Sequence, residues 1–364
     1  MPPLSLREFE EEARGRLDPA VYDYFAGGAD DEVTLRANEA AFSRVGLVPR
    51  VLCGSGRPEL GVAVLGSRIS MPVLIAPTAF HGLAHPEGER ATARAAAAAG
   101  TIMILSMAAT VPVEEVVSEA RNTAQGAEIS PWFQLYIQPD LQFTEAVIHR
   151  AEAAGCTALV VTVDSPAFGR RERDLRNGFL DLPTGMCCEN LREGGIVRQL
   201  VFSPEFSWNH IDWLAKVTSL KIVLKGILHP EDARLAVSHG ADAIIVSNHG
   251  GRQLDTVPAT IDLLPAIVDA VDGRIPVLMD GGIRRGSDVV KALALGATAV
   301  AIGRPVIWGL STGGEPGVTQ VLEMLRSEID RTLALCGCGC PGDASRELLR
   351  LPRNLEDRCL PSLS

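Results

Sequence analysis

The chain has 364 residues, of which 46% are hydrophobic and 22% charged, as in ordinary globular proteins. Its formal net charge of −11 disfavours a nucleic-acid-binding protein, which usually presents a basic face. Residues 1–15 are rich in glutamate and lack the apolar run of a signal peptide, and no segment approaches the ~18 apolar residues of a membrane span. These features predict a cytoplasmic protein that does not enter a membrane.

Short apolar runs recur along the chain, and each is followed by a segment with helical features. The eight predicted strands are Val73–Thr78, Ile102–Met107, Trp132–Ile137, Ala158–Asp164, Ile222–Ile227, Ala243–Asn248, Pro276–Gly281 and Ala299–Arg304. The predicted helices are Gly88–Ala99, Val113–Ala120, Leu141–Ala154, Ser207–Val217, Pro230–His239, Thr260–Val271, Ser287–Leu295 and Gly317–Leu335. Near-continuous apolar strands are typical of a parallel sheet covered on both faces. Eight such units predict an α/β fold of the (β/α)8 TIM barrel type, whereas an open doubly wound sheet rarely has so many regular units.

Three segments lie outside this alternation, within a chain that we expect to form a single domain over residues 1–364. Residues 1–70 form a helical N-terminal extension ahead of the barrel at 71–335. A long insertion, residues 165–206, follows the fourth strand and is rich in Arg, Gly and Glu, which favours a lid or binding loop. The tail at 336–364 is rich in Gly, Pro and Arg, and we expect it to be poorly ordered.

Polar residues or glycines close nearly every predicted strand, and TIM-barrel enzymes carry their active sites at this end. In strand order they are Pro77, Thr78 and Ala79; Ser106; Gln134 and Tyr136; Thr162 and Asp164; Lys225; Ser247, His249 and Arg252; Asp280, Gly281, Gly282 and Arg284; Gly303 and Arg304. Taken singly, Asp164 is explained equally well as a helix cap, and His249 as a structural histidine. Their shared position at one end of the barrel predicts an active site.

The last two strands end in glycine and arginine, which predicts a phosphate site. Gly282 with Arg284 and Gly303 with Arg304 fall in the loops where barrels often bind phosphate, although such glycines also make tight turns. No Gly-x-Gly-x-x-Gly motif supports a dinucleotide fold. Cysteines 336, 338 and 340 alternate with glycine and lack the paired spacing of structural zinc, so we expect no metal.

These residues resemble the FMN-dependent α-hydroxy-acid oxidases and dehydrogenases, the family of glycolate, lactate and hydroxymandelate oxidases. The resemblance covers about residues 5–335, and its most specific stretch is Val246–Asp255. Supporting stretches are Tyr22–Phe25, Gly27–Ala29, Pro77–Ala79, Leu83–Pro86, Gln134–Tyr136, Thr162–Asp164, Leu224–Gly226 and Asp280–Arg284. It implies an (S)-2-hydroxy-acid oxidase with FMN as cofactor, which passes electrons to O2 and releases hydrogen peroxide. It further implies a homotetramer.

The resemblance also implies a role for each matching residue. His249 is the active-site base, Asp164 pairs with its imidazolium, Tyr136 contacts the substrate oxygen, and Lys225 lies beside the flavin. The substrate carboxylate is held by Tyr24, Arg171 and Arg252. The FMN-binding residues are Pro77, Thr78, Ala79, Ser106, Gln134, Thr162, Lys225, Ser247, Asp280, Gly281, Gly282, Arg284, Gly303 and Arg304.

One position departs from the glycolate-oxidising members. They typically carry tryptophan two residues after the serine of the second strand, where this chain has Ala108. The substrate pocket is therefore expected to be roomier than glycolate needs, with Phe168 as a second wall. We expect L-lactate, a mandelate-type acid or a longer acid as substrate.

Three other functions remain open from the sequence. A dehydrogenase of the same family passes electrons to a quinone or cytochrome instead of O2. An FMN barrel isomerase acting on a prenyl diphosphate should lack the combination of His249, Arg252 and Arg171. A non-enzymatic flavin-binding protein should lack the base.

Overall fold

A closed barrel of eight parallel strands forms the centre of the molecule in a computed structural model, which describes residues 3–124 and 131–351. The barrel strands are Val73–Ile75, Ile104–Ser106, Trp132–Leu135, Ala158–Thr162, Lys221–Ile227, Ala243–Val246, Val277–Asp280 and Ala299–Ile302. Each strand pairs in parallel with its neighbours in chain order, and the eighth pairs with the first. A parallel bridge between Ile75 and Met103 closes the ring. The predicted (β/α)8 barrel is confirmed.

Eight helices surround the strands. They are Gly88–Ala98, Val113–Thr123, Leu141–Ala154, Trp208–Val217, Pro230–Ser238, Thr260–Val271, Gly286–Ala294 and Arg304–Cys336. Seven agree with prediction to within three residues at either end, but the predicted start of the last helix at Gly317 is wrong. That helix begins at Arg304 and is interrupted where Gly313 and Gly314 leave helical geometry, the latter at φ +60°. In the sequence, the adjacent glycines Gly313 and Gly314 are typical of a loop, which is why the helix was expected to begin after them.

The barrel interior is apolar at the end where the strands begin. Leu74, Trp132 and Ala158 are among its fully buried residues. A β-hairpin of the N-terminal extension, Val62–Val64 with Ser67–Ile69, adds Val64 and Ile69 to the same cluster. This hairpin covers the amino ends of the strands, whereas a cavity opens at their carboxyl ends.

The rest of the N-terminal extension packs over the carboxyl ends of the strands. Its helices are Leu6–Arg16, Pro19–Ala26 and Val33–Ala40. The Asp255 carboxylate accepts hydrogen bonds from the amides of Thr34 (2.8 Å) and Val33 (3.2 Å), and so caps the third helix. The Ala29 amide donates to the Gly251 carbonyl at 2.8 Å, and a side chain at Gly251 would lie 2.7 Å from the Leu35 nitrogen. Close backbone contact therefore fixes the extension to the loop after the sixth strand.

The first part of the tail is ordered, contrary to expectation. Leu349–Arg350 pairs antiparallel with Gly46–Leu47, and Cys338 and Leu348 are buried. Partners from distant residues 46–60 supply the order that local composition does not indicate. Residues 352–364 of the predicted tail lie outside the described residues, and the single-domain division of the chain stays a prediction.

In the insertion, residues 165–206, the structure has a helix at Glu172–Asn177 and a hairpin of Arg192–Glu193 with Ile196–Val197. No helix within residues 3–124 and 131–351 is long and apolar enough to cross a membrane.

Candidate active site

A cavity of about 1080 Å³ opens where the barrel strands end. All the predicted site residues line it except Asp164 and Ser247, which lie directly behind lining residues. Asp164 contacts His249, and Ser247 accepts a hydrogen bond from Lys225 at 2.8 Å. The structure therefore brings together in one place every residue that was predicted from the ends of eight separate strands.

His249 and Asp164 form a hydrogen-bonded pair at the cavity wall. Their Nδ1 and Oδ1 atoms are 3.0 Å apart, and Ser165 donates to the same carboxylate oxygen at 3.1 Å. Burial lowers the pKa of His249 by more than Asp164 raises it, and the positive charges of Lys225 and Arg171 lower it further. The imidazole is therefore neutral at neutral pH. With Nδ1 donating to Asp164, its Nε2 atom is left as the basic atom.

Asp164 stays ionised although it is almost completely enclosed. Burial opposes its ionisation, but His249 and Lys225 outweigh that effect, so the pKa of Asp164 lies below its usual value. The fifth strand passes close to Asp164, because a side chain at Gly226 (φ +114°) would lie 2.7 Å from the Asp164 Cβ atom. A neutral histidine beside a fixed carboxylate is suited to accept a proton, since the carboxylate stabilises the imidazolium that forms.

Two arginines meet over the ring of Tyr24. The guanidinium carbon of Arg252 is 4.9 Å from the ring centre and that of Arg171 is 6.0 Å from it. Arg252 also donates to the Tyr24 carbonyl at 2.6 Å and to the Gly27 carbonyl at 3.0 Å. Burial and the neighbouring Arg171 lower the pKa of Arg252 to about 10, so Arg252 is charged at neutral pH. A carboxylate is well suited to bind beside these two arginines, since guanidinium groups bind it through paired hydrogen bonds.

The hydroxyl of Tyr136 faces the same cavity and keeps its proton. Burial, reinforced by the charge of Asp164, holds the pKa of Tyr136 well above its usual value. Its phenol can therefore donate a hydrogen bond to an oxygen in the cavity.

A second polar cluster lies at the ends of the third, fifth and seventh strands. The buried ammonium of Lys225 is 3.1 Å from the Asp280 carboxylate. Gln134 accepts from Ser106 (3.2 Å), yet its Nε2 atom has no partner among the described residues. The same holds for Oδ1 of Asp280 and Nε of Arg284. Buried groups left in this way are expected to bond to a ligand.

Arg304 binds the extension rather than standing free. It donates to the carbonyls of Phe25 (2.9 Å), Gly27 (2.8 Å) and Gly250 (2.9 Å). Burial, together with the charges of Arg252 and Arg284, lowers the pKa of Arg304 to about 9. Positive charge is therefore concentrated at the predicted phosphate site. One of its arginines, Arg304, also holds the N-terminal extension in place.

Aromatic side chains from outside the strands form a wall of the cavity, in which Phe168 and Tyr24 were predicted and the other phenylalanines were not. Phe202 lies 5.2 Å from Tyr136 and 5.5 Å from Phe168, measured between ring centres. Phe80 and Phe179 lie 5.5 Å and 5.0 Å from the Tyr24 ring. Phe202 and Phe179 belong to the insertion, where isolated phenylalanines in an otherwise polar segment were the available signal.

Comparisons with known proteins agree with this geometry. A family model described as FMN-dependent dehydrogenase matches residues 13–351. The chain is 47% identical to an L-lactate oxidase of Nostoc sp. over 366 residues, which covers 96% of this chain and 98% of that protein. It is 48% identical to glycolate oxidase of Spinacia oleracea over 355 residues, or 94% of both chains. A solved structure of mandelate oxidase with benzoyl-formic acid superposes with a TM-score of 0.88 at 43% identity, covering 96% of this chain and 98% of that one.

Proposed function

This chain belongs to the FMN-dependent dehydrogenase family, and we propose that it binds and oxidises a 2-hydroxy acid in the cavity beside His249. Its reaction class follows from the relatives: it is an FMN-dependent oxidase that converts a 2-hydroxy acid into the 2-oxo acid with O2 as acceptor. Two electrons and two protons leave the substrate, so each turnover reduces one O2 to hydrogen peroxide. The observation that carries the proposed site is the His249–Asp164 pair in the same cavity as Arg252 and Arg171.

The residues around the cavity fit FMN. Gln134 and Arg284 offer buried donors without partners among the described residues, and Asp280 offers a buried acceptor. A flavin ring has an amide-like edge, the ribityl chain has hydroxyls, and the phosphate is anionic, so all three kinds of group are matched. FMN, when bound, supplies the two-electron acceptor.

We assign the holding of FMN to two groups of residues. Ring and ribityl contacts come from Pro77, Thr78, Ala79, Ser106, Gln134, Thr162, Lys225, Ser247 and Asp280. Phosphate contacts come from Gly281, Gly282, Arg284, Gly303 and Arg304. Lys225, which is held by Asp280 and Ser247, supplies a buried positive charge beside the ring.

The substrate carboxylate is assigned to Arg252 and Arg171, with Tyr24 between them. The Nε atom of Arg171 is buried and has no partner within the part of the chain that the structure describes, so a donor is free for an anion. Guanidinium groups bind carboxylates through paired hydrogen bonds, which fixes orientation as well as affinity.

His249 accepts a proton from the bound substrate, and Asp164 stabilises the resulting imidazolium. Tyr136 donates a hydrogen bond to the substrate oxygen. A positioned base typically contributes a factor of about 10² to 10⁴ to the rate. The base works because its imidazole is neutral before the reaction, a consequence of burial.

Substrates with a larger apolar group than glycolate are favoured by the walls of the cavity. Ala108 is small and nearly buried, and it lines the cavity with Phe168 and Phe202. Aromatic rings pack well against an aryl or alkyl substituent. We propose L-lactate, mandelate-type or longer L-2-hydroxy acids as substrates. A cytoplasmic homotetramer remains our expectation, which light scattering and cell fractionation test.

One experiment tests the substrate and the acceptor together. The purified protein should be yellow and should release FMN rather than FAD on denaturation. Without air, its flavin absorbance should bleach with L-lactate or L-mandelate, and it should recover with peroxide formation when air is admitted. Bleaching by none of the L-2-hydroxy acids would contradict the proposed substrate class. Recovery only with a quinone would favour the dehydrogenase alternative.

A further inference from the structure

Four cysteines meet on the barrel surface where two distant segments of the chain pack together. The sulfur of Cys53 lies 2.7 Å from the position that a Cβ atom on Gly337 would take. The Arg50 amide donates to the Cys336 carbonyl at 3.3 Å, and the Glu59 amide to the Gly339 carbonyl at 2.9 Å. The segment at 50–59 therefore lies along the alternating cysteine-glycine run, with the Cys53 sulfur next to Gly337, the residue between Cys336 and Cys338.

Glycine at position 337 is what permits this approach. Its φ of +78° is in the left-handed region, and any side chain there would occupy the place of the Cys53 sulfur. The glycine between Cys336 and Cys338 thus has a physical reason, because it leaves room for the Cys53 thiol.

Cys338 lies at the centre of the group. Burial raises the pKa of its thiol to about 11, and Cys336, Asp343, Cys340 and Cys53 each raise it further. The three other thiols are therefore all close enough to Cys338 to raise the pKa of its thiol. Cys53 is exposed, whereas Cys338 is only 3% exposed.

A bound metal does not explain this cluster. Among the described residues, no group of three or more His, Cys, Asp and Glu side chains has an arrangement that holds a metal ion. The remaining chemistry open to paired thiols is oxidation to a disulfide. The oxidase reaction itself supplies an oxidant, because each turnover releases hydrogen peroxide.

We propose that Cys53 and Cys338 form a peroxide-sensitive disulfide pair that joins residues 50–59 to the segment after the last barrel helix. This inference rests on the proposed function at one point, which is the oxidase reaction as the source of the peroxide. Peroxide first oxidises the exposed Cys53 thiol to the sulfenic acid: an S–O bond forms, the O–O bond breaks, and the other oxygen leaves as water with the thiol proton. The Cys338 thiol then attacks that sulfur. An S–S bond forms, the S–O bond breaks, and the second oxygen leaves as water with the Cys338 proton. Two thiols lose two electrons, and one peroxide becomes two waters.

This division of roles follows from exposure. Susceptible cysteines are accessible to solvent and lie beside a second cysteine that resolves the sulfenic acid. Cys53 is accessible, and Cys338 is buried and directly follows Gly337, the residue that the Cys53 sulfur approaches. The bridge would join the two ends of a very long loop and should raise the melting temperature by restricting the unfolded chain.

Peptide mapping of the reduced holoenzyme tests the bridge directly. After treatment with equimolar hydrogen peroxide and blocking of free thiols, trypsin should release peptide 51–68 joined to peptide 332–346. The joined pair should be two mass units lighter than the sum of the two peptides and should separate with dithiothreitol. Non-reducing electrophoresis should show a monomeric chain, since the bridge is within one molecule.

Four variants identify the partners. Cys53→Ser and Cys338→Ser should reduce the joined peptide at least tenfold, whereas Cys336→Ser and Cys340→Ser should keep it. All four should retain normal flavin reduction, because none of these cysteines lines the active-site cavity. An undiminished yield in Cys338→Ser would overturn the assignment. So would over-oxidised Cys53 without any joined peptide, or a joined peptide 359–364 in its place.

A second arm separates failure of this inference from failure of the proposed function. Substrate and air replace added peroxide, with catalase as the control. If the joined peptide forms with added peroxide but not with substrate and air, the thiol pair is supported, and the enzyme reaction is refuted as the source of its peroxide. No linkage by added peroxide in an enzyme that turns over would refute the thiol pair alone.

Discussion

Nδ1 of His249 lies 3.0 Å from Oδ1 of Asp164, although 85 residues separate them in the chain and they follow different barrel strands. The contact is therefore made by the fold and not by residues that are close together in the sequence. The pairing exists because the fourth and sixth strands end at the same rim, with the fifth strand and its Gly226 between them.

Replacement of His249 by glutamine should abolish substrate oxidation while leaving FMN bound. We expect the rate of flavin bleaching to fall about 10² to 10⁴-fold, the usual contribution of a positioned base. Stopped-flow absorbance without air gives this rate. His239 offers a matched control, because it forms a similar pair with Asp212 at 2.7 Å outside the cavity. His239→Gln should be unaffected, and near-normal bleaching in His249→Gln would place the base elsewhere.

The pH dependence of kcat/KM should have an acidic limb set by His249. Burial holds its pKa below the usual 6.5, and only the neutral imidazole accepts a proton. Activity should therefore be full at neutral pH and should fall only as the pH drops below about 6.5. In Asp164→Asn a group that raises this pKa is lost, so the limb should move to still lower pH while the maximal rate falls. A midpoint above pH 7 in the unmodified enzyme would contradict the assignment.

Arg252→Met should weaken the binding of substrate and of a carboxylate inhibitor together. Hydrogen bonds to charged groups contribute about 1.5–3 kcal/mol, which corresponds to a loss of roughly 10- to 150-fold in affinity. Inhibitor titration by flavin difference absorbance measures it. Because Arg252 also binds the carbonyls of Tyr24 and Gly27, FMN content and melting temperature must be measured too. Arg176→Met, an exposed arginine of the same insertion, is the control and should bind normally.

Ala108→Trp should narrow the substrate range. The alanine is 6% exposed and lines the cavity, so a large indole there meets the Phe80 segment, whose amide donates to the Ala108 carbonyl at 3.3 Å. Overpacking of this kind costs about 1–3 kcal/mol, which corresponds to roughly 5- to 150-fold in kcat/KM. We expect that loss for L-mandelate, with glycolate spared and the unmodified enzyme preferring lactate or larger acids. An unchanged ranking of glycolate, L-lactate and L-mandelate would show that Ala108 does not limit the pocket.

The barrel and its polar rim were accessible from sequence because both depend on local patterns. Each strand is a short apolar run that ends in a polar residue or glycine, and the barrel rule places those ends together. Asp164 and His249 were paired only through the resemblance to a family, since no spacing in one sequence indicates that contact.

What prediction missed depends on contacts between distant segments. The tail after Gly337 is ordered by residues 46–60, which its own composition does not reveal. The wall formed by Phe179 and Phe202 depends on how the insertion folds back over the cavity, and no periodic pattern specifies that path.

Arg304, whose contacts join Phe25, Gly27 and Gly250, has a consequence for the order in which the enzyme matures. Arg304 lies at the end of the eighth strand, which is synthesised last among the barrel strands. It nevertheless binds the N-terminal segment that contains Phe25 and Gly27, which is synthesised before all of them. Tyr24, which lines the cavity, directly precedes the Phe25 carbonyl that Arg304 binds. A nascent chain stays inactive through nearly its whole synthesis, and folding must wait for a contact of very high sequence separation, which slows it. A chain that ends before the eighth strand lacks Arg304, so the segment that carries Tyr24 loses the hydrogen bonds to its Phe25 and Gly27 carbonyls.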